Sequence, residues 1–275
     1  MLYTDHHIHS NCSSDAEDFM LDMAMACGEL GVNRICFTDH CDIDDYITGN
    51  PLPDAFERWL PSVDAWRETV AHVPTGLDVC LGVELGEMNH DLARARAIIE
   101  RVPELDFVLA SIHNLRATPD FYALRYESEA HCRALLDLYL DELTEVAALP
   151  DYDILSHIGY TKRYMLRAGY SVFVEDAQYE DKVRLLLRTV IENGKGIEVN
   201  TSGLRHPAIL ETIPSVKILR IYKELGGEKI TVGSDAHRTI DAGRGIHQSF
   251  ELLRSLGFRY VCAYRKREAE FIPLD

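Results

Sequence analysis

Leu2-Tyr3-Thr4-Asp5-His6-His7-Ile8-His9 ends an apolar run on two histidines set two apart. Lys229-Ile230-Thr231-Val232-Gly233-Ser234-Asp235-Ala236-His237 ends another on an acid and a histidine with the same spacing. Residues two apart on a strand point to one side, so each pair can reach a single point. Five more apolar runs between them finish in the same way. Arg34–His40 ends on Asp39 and His40, Val79–Leu85 on Glu84, Phe107–His113 on His113, Tyr152–His157 on His157, and Gly196–Asn200 on Glu198 and Asn200. A lone histidine after a strand is ordinarily a satisfied polar residue. Seven such endings need a common reason, and a ring of parallel strands supplies one, because a barrel does its chemistry where strands give way to loops.

Helical periodicity fills the intervals. Glu17–Leu30, Asp54–Val73, Asp91–Glu100, Glu127–Ala147, Asp176–Asn193, Ser215–Leu225 and Ile246–Leu256 space apolar residues three and four apart, and several stop at a glycine. Pro61 is expected to kink or restart the second. Strand and helix in alternation mean a parallel sheet covered by helices, either open or closed. An open sheet gathers its ligands at one crevice, whereas here nearly every strand contributes. The expectation is a distorted α/β barrel of about seven units, with residues 1–275 as one domain. Tyr260–Tyr264 and the tail Arg265–Asp275 would close or flank it. Asp42–Pro53 and Thr161–Glu175 would be loops over the active face.

The chain has 275 residues, 47% of them hydrophobic, and a formal net charge of −17, which repels nucleic-acid backbone and anionic membrane surfaces. No aromatic and basic stripe offers a path for single strands, which disfavours an exonuclease. Seven cysteines, an odd number without CxxC spacing, read as reduced thiols of a cytoplasmic protein. Neither a secretion signal nor a membrane span is indicated. Oligomeric state is not legible.

Imidazole nitrogens and carboxylate oxygens together bind zinc, iron or manganese, and so many donors imply more than one ion. The motifs Asp5-x-His7-x-His9, Thr38-Asp39-His40, Gly82-Val83-Glu84, Ser111-Ile112-His113, Ser156-His157 and Gly233-Ser234-Asp235-Ala236-His237 resemble those of the polymerase and histidinol phosphatase (PHP) superfamily. The resemblance implies a distorted seven-stranded barrel holding two to three divalent ions. His7, His9, Glu84 and Asp235 would hold the first; Glu84 would bridge to a second on His113 and His157; His40, His237 and Asp15 would hold a third. The segments His9–Ala16, Asp153–Tyr164 and Glu198–Arg205 resemble the monofunctional histidinol phosphatases in particular, which implies hydrolysis of L-histidinol phosphate.

The residues themselves fit hydrolysis of a small phosphomonoester. Clustered cations bind phosphate oxygens, lower the pKa of a bridging water and neutralise charge at phosphorus. Arg163, six residues past His157, is the first candidate for a phosphate clamp, since guanidinium grips phosphate at two points. Arg205 is the second. Asp15 is either a plain metal ligand or the source of the leaving group's proton. Two rivals stay open: the same chemistry on another phosphomonoester or on phosphotyrosine, and a non-catalytic module stabilised by metal.

Overall fold

In the computed structural model, which describes residues 1–274, eight parallel strands form seven staves bonded side by side in chain order, and the last returns to the first; Asp275, the end of the expected tail, lies outside the described residues. The strands are β1 (Thr4–Ile8), β2 (Arg34–Phe37), β3 (His40–Asp42), β4 (Asp78–Gly86), β5 (Phe107–Ser111), β6 (Ile154–Leu155), β7 (Gly196–Asn200) and β8 (Ile230–Gly233). β2 pairs with Asp78–Leu81 and β3 with Glu84–Gly86 of the same neighbour, so the expected strand Arg34–His40 is one stave broken at Thr38-Asp39. The break has a local cause: the Asp39 carboxylate accepts the Ser10 N–H (2.6 Å) and hydroxyl (2.8 Å) instead of facing out from a pleat. β8 closes onto β1 through the Ile8–Ala236 bridge, with Asp235 N–H donating to the His7 carbonyl at 2.6 Å and His9 N–H to the Ala236 carbonyl at 3.0 Å. The expected distorted seven-unit barrel is the fold.

Helices sheathe the outside. They are α1 (Met20–Glu29), α2 (Ala55–Trp59), α3 (Pro61–His72), α4 (Leu92–Glu100), α5 (Glu129–Ala147), α6 (Lys162–Arg167), α7 (Glu180–Glu192), α8 (Ser202–Arg205), α9 (Val216–Glu224) and α10 (Ile246–Ser255). Pro61 does restart a helix: α2 stops at Trp59 and α3 begins at the proline, where its missing N–H costs nothing. Asp91 and Ser128 cap α4 and α5 by accepting the Arg94 and His131 N–H groups. α1 starts later than the periodicity implies, and Phe19, inside the expected Glu17–Leu30 segment, precedes the helix and is exposed. α6 and α8 were not anticipated; α6 lies inside the segment expected to be loop. Ile35, Phe37, Leu81, Val83, Val108 and Ala110 form the outward face of the sheet and are buried in the main core.

The chain's end plugs the barrel floor. β9 (Tyr260–Arg265) and β10 (Glu268–Pro273) form an antiparallel hairpin outside the main sheet. Cys262 and Tyr264 of this hairpin pack with Cys36, Cys80, Phe107, Leu109 and Ile154 inside the barrel. Arg265 pairs with Asp78 and Asp106, and Arg267 with Asp153, acids at the starts of staves. The tail therefore closes the barrel, as a stopper rather than as an eighth stave.

A bulge in β1 links floor and mouth. Between the Asp5–Ile35 and Ile8–Phe37 pairs, β1 carries one residue more than β2. An extra residue resets the alternation of side chains. Two consecutive histidines can then point inward: His6 accepts the Tyr264 N–H at 2.9 Å in the floor, while His7 reaches the centre of the barrel mouth.

Candidate metal centre

All nine side chains expected as ligands come together at the C-terminal ends of the staves. Glu84, fully buried on β4, is the hub. Its Oε1 lies 2.9 Å from His157 Nε2 and 3.2 Å from His113 Nε2; its Oε2 lies 3.0 Å from His40 Nδ1, 3.3 Å from His7 Nε2 and 3.5 Å from His9 Nε2. Asp235 Oδ1 is 3.6 Å from His7 Nε2, His9 Nε2 and His237 Nδ1. Asp15, on the loop after β1, sets its Oδ2 3.2 Å from His237 Nε2 and 3.6 Å from His40 Nε2. Several overlapping groups of three donors have the proximity a bound ion needs, among them His7, His9 and Asp235; His7, Glu84 and His157; and His9, His40 and His237.

Hydrogen bonds fix which nitrogen of each ring faces inward. His7 Nδ1–H donates to Glu198 Oε1 at 2.6 Å. His9 Nδ1–H donates to Ser13 Oγ at 3.0 Å, because the Ser13 hydroxyl is itself spent on Asp39. His157 Nδ1–H donates to Ser156 Oγ (3.1 Å), at the head of a hydroxyl chain through Ser111 to Glu84 Oε1. His237 Nδ1–H donates to the Asp235 carbonyl (3.2 Å), and His113 Nδ1–H to Asp42 Oδ1 (3.2 Å). Five rings thus turn an Nε2 lone pair inward, the arrangement that outer partners impose on metal-binding histidines. His40 is the exception: its buried Nδ1 faces Glu84 Oε2 at 3.0 Å but not in hydrogen-bonding geometry.

The geometry calls for cations. His7 Nε2 and His9 Nε2 stand 3.1 Å apart, and the buried Glu84 Oε2 beside them has no hydrogen-bond donor. Acceptors packed this closely repel unless positive charge lies among them. Protons are the competitor. Burial opposes charge on His7, His40 and His113, yet the surrounding carboxylates hold all three well above the usual imidazole range. Burial likewise opposes ionisation of Glu84, which His7, His40 and His113 hold well below the carboxylate range, and of Asp235, which His7, His9, His237 and Arg163 hold there. Divalent ions would displace those protons.

Glu198 and Asn200 on β7 take a different part. Besides holding His7, Glu198 accepts the His157 N–H at 2.8 Å, and Asn200 donates to Asp235 Oδ2 at 3.2 Å. Gly233 of β8 passes so close that a Cβ there would lie 2.3 Å from His7 Cβ and 2.5 Å from Glu198 Oε1. Sequence reasoning found these strand ends but not their purpose. It missed Asp42 and Glu87, whose buried carboxylate accepts the His113 N–H at 2.7 Å.

A small cavity of about 60 Å³ lies over Glu84 and Asp235 and is lined by Arg163. Arg163 sits at the start of α6; its guanidinium donates to Ser202 Oγ (2.9 Å), lies 3.4 Å from Asp235 Oδ2 and leans over the Tyr160 ring. Arg205, the second clamp candidate, is engaged elsewhere: it donates to the Ser234 carbonyl (2.9 Å) and pairs with Asp241 (3.3 Å), and it does not line this cavity. A wider cavity of about 380 Å³ adjoins the first, walled by Tyr46, Tyr122, Tyr160 and Tyr164 with Asp42 and Asp120 among them.

The PHP domain model matches residues 5–202. The chain is 25% identical to a probable histidinol-phosphatase of Clostridium acetobutylicum, over 94% of this chain and 95% of the relative, and 24% identical to a histidinol-phosphatase of Lactococcus lactis, over 96% and 95%. Among solved structures it is similar to the histidinol phosphate phosphatase of L. lactis complexed with zinc, L-histidinol and phosphate, with a TM-score of 0.76 at 23% identity over 98% of both chains. A family model that covers most of the barrel, motifs in the same order and a donor ring around Glu84 lead to one assignment: the chain belongs to the PHP domain family.

Proposed function

We propose that this chain is a metal-dependent phosphomonoesterase that hydrolyses L-histidinol phosphate to L-histidinol and phosphate. The observation that carries the reading is the hub at Glu84, with five imidazoles around one buried carboxylate, opening onto a cavity that Arg163 overhangs. Relatives that match nearly end to end and are named histidinol-phosphatases support the substrate.

His7, His9, Glu84 and Asp235 would hold one ion, Glu84 with His113 and His157 a second, and His40, His237 and Asp15 a third; zinc, iron and manganese all suit such donors. When bound, the ions would supply Lewis acidity toward phosphate oxygens and an activated water. The protein does the rest. Arg163 lines the small cavity beside Asp235, where its planar fork can grip and orient a phosphoryl group. Asp15 lines both cavities, so beyond holding an ion it stands where a leaving alkoxide needs a proton. Asp42, Asp120 and the tyrosines give the wider cavity an acidic, aromatic wall suited to the ammonium and imidazole of an amino-alcohol ester. Arg205 holds the loop around Ser234 and so acts on Asp235 from behind. Seven unpaired thiols fit a cytoplasmic setting, and no described helix is long and apolar enough to cross a membrane.

The test is phosphate release across histidinol phosphate, other amino-alcohol phosphates, nucleotides and phosphotyrosine, with metal content measured on the same sample. Preference for histidinol phosphate is expected. Equal turnover of phosphotyrosine would move the assignment to a general phosphatase, and no turnover of any ester by metal-loaded protein would overturn it.

A further inference from the structure

We propose that Asp42 is a positioning residue for the metal centre, orienting His113 from the substrate side, and that Gly86 exists to make room for it. The proposal rests on the reading of His113 as a metal ligand. Asp42 ends β3, the far half of the broken stave, in register with Gly86 at the end of β4. Its carboxylate lies across Gly86: a Cβ there would come 2.3 Å from Asp42 Oδ1 and 3.1 Å from Cγ. From this cradle Oδ1 accepts the His113 Nδ1–H at 3.2 Å, and the opposite nitrogen, Nε2, lies 3.2 Å from Glu84. Backbone alone would not fix that ring. Glu87 holds the His113 N–H, but rotation about the side chain's bonds is left to Asp42 and to packing.

The same carboxylate oxygen is 4.0 Å from His40 Nδ1, so Asp42 stands between two histidines assigned above to different ions, close enough to both that the three donors form one group. It also lines the tyrosine-walled cavity and is partly exposed, unlike the buried Glu198 that serves His7 in the same manner. Two roles are thus separable by experiment: orienting His113, which shows in metal affinity, or touching the alcohol portion of the substrate, which shows in KM. The arrangement favours the first, because the atom given to His113 is the one pinned over Gly86.

The experiment compares Asp42→Asn, Asp42→Ala, Gly86→Ala, the Asp42→Ala/Gly86→Ala double variant and His113→Ala with the parent. Folding is checked by circular dichroism, bound zinc is counted by elemental analysis, and zinc retention is titrated with a chelator. His113→Ala should lose one equivalent. Asp42→Ala should retain one equivalent about 10–100-fold more weakly and lower kcat with KM little changed, the size expected for removing a ligand's outer partner. Gly86→Ala should reproduce that loss by displacing the carboxylate, and the double variant should be no worse than either single one, since both remove one contact. Asp42→Asn, whose amide oxygen can still accept, should recover part of the affinity. If His113→Ala loses zinc while Asp42→Ala holds every equivalent within twofold of the parent, or raises KM alone, the positioning role is overturned. If His113→Ala keeps all its zinc, the ligand reading fails, and the proposal with it.

Discussion

Glu84 owes its place to a single position on a stave. Eight of the nine side chains proposed as ligands lie elsewhere in the chain, and each touches at most a few of the rest, whereas Glu84 alone meets five imidazoles. Replacing it by Gln removes the one charge proposed to serve two ions. Glu84→Gln should lose at least two equivalents of metal and roughly 10³-fold or more of activity, exceeding His113→Ala or His157→Ala, because a ligand shared by ions outweighs the 10–100-fold typical of an outer partner. Elemental analysis decides it: a variant that keeps its metal content refutes the bridge. Arg163 should behave oppositely. It binds no ion, so Arg163→Ala should keep metals and fold yet lose about 10²–10³ in turnover, as when one preorganised donor is removed. Lysine should restore only part, lacking the fork that matches phosphate. Turnover within about threefold of the parent at saturating substrate would place the clamp elsewhere.

The loops that roof the site are tied at their bases. His90, after β4, is held between Asp44 Oδ2 (2.6 Å on Nδ1) and Glu142 Oε2 (2.5 Å on Nε2), joining the loop that carries Tyr46 to α5. Burial works against its charge, but Asp44 and Glu142 raise it to about 9. A pKa raised on folding contributes stability that is whole below the unfolded value near 6.5 and is lost as pH rises through about 9. Urea midpoints should therefore fall across that window, by an amount on the order of 2–3 kcal/mol for a shift of this size. His90→Gln should be less stable at pH 6 and should flatten the decline; an unchanged slope would show the clamp to be uncharged. At this scale the helices were legible from periodicity, within a few residues at each end. The short α6 was not, because six residues carry too little periodicity to separate a helix from a loop. Yet α6 is what brings Arg163 over the donor cluster.

Across the molecule the site is a girdle as well as a centre. Donors from β1, β3, β4 and the loops after β1, β5, β6 and β8 meet at one point, so ions bound there would fasten together staves whose donors, His7 and His237 at the extremes, lie up to about 230 residues apart in the chain. Ions that bind the folded barrel and not the unfolded chain stabilise it by mass action, by about 4 kcal/mol when free metal exceeds the dissociation constant a thousandfold. Chelation should lower Tm by several degrees, and zinc or manganese should restore it; an unchanged Tm would mean that the barrel closes without its ions. At the opposite end, the β9–β10 hairpin closes the floor through Arg265 and Arg267, independently of metal.

By itself the sequence determined the alternation of strand and helix, the closure into a ring and the set of donor side chains that meet around Glu84. Each rests on local spacing: period two against period three to four, and a donor placed where an apolar run stops. The rest was decided by approach between residues distant in the chain. Only the bulge between Asp5 and Ile8 turns both His6 and His7 inward. Only the register of β3 on β4 lays Asp42 over Gly86. The folded loop after β7 ties Arg205 to Ser234 and Asp241 while Arg163 faces Asp235. Two arginines that follow strand-end motifs look alike in one dimension, and what separates them is which carboxylate each meets, a fact that exists only after the barrel has closed.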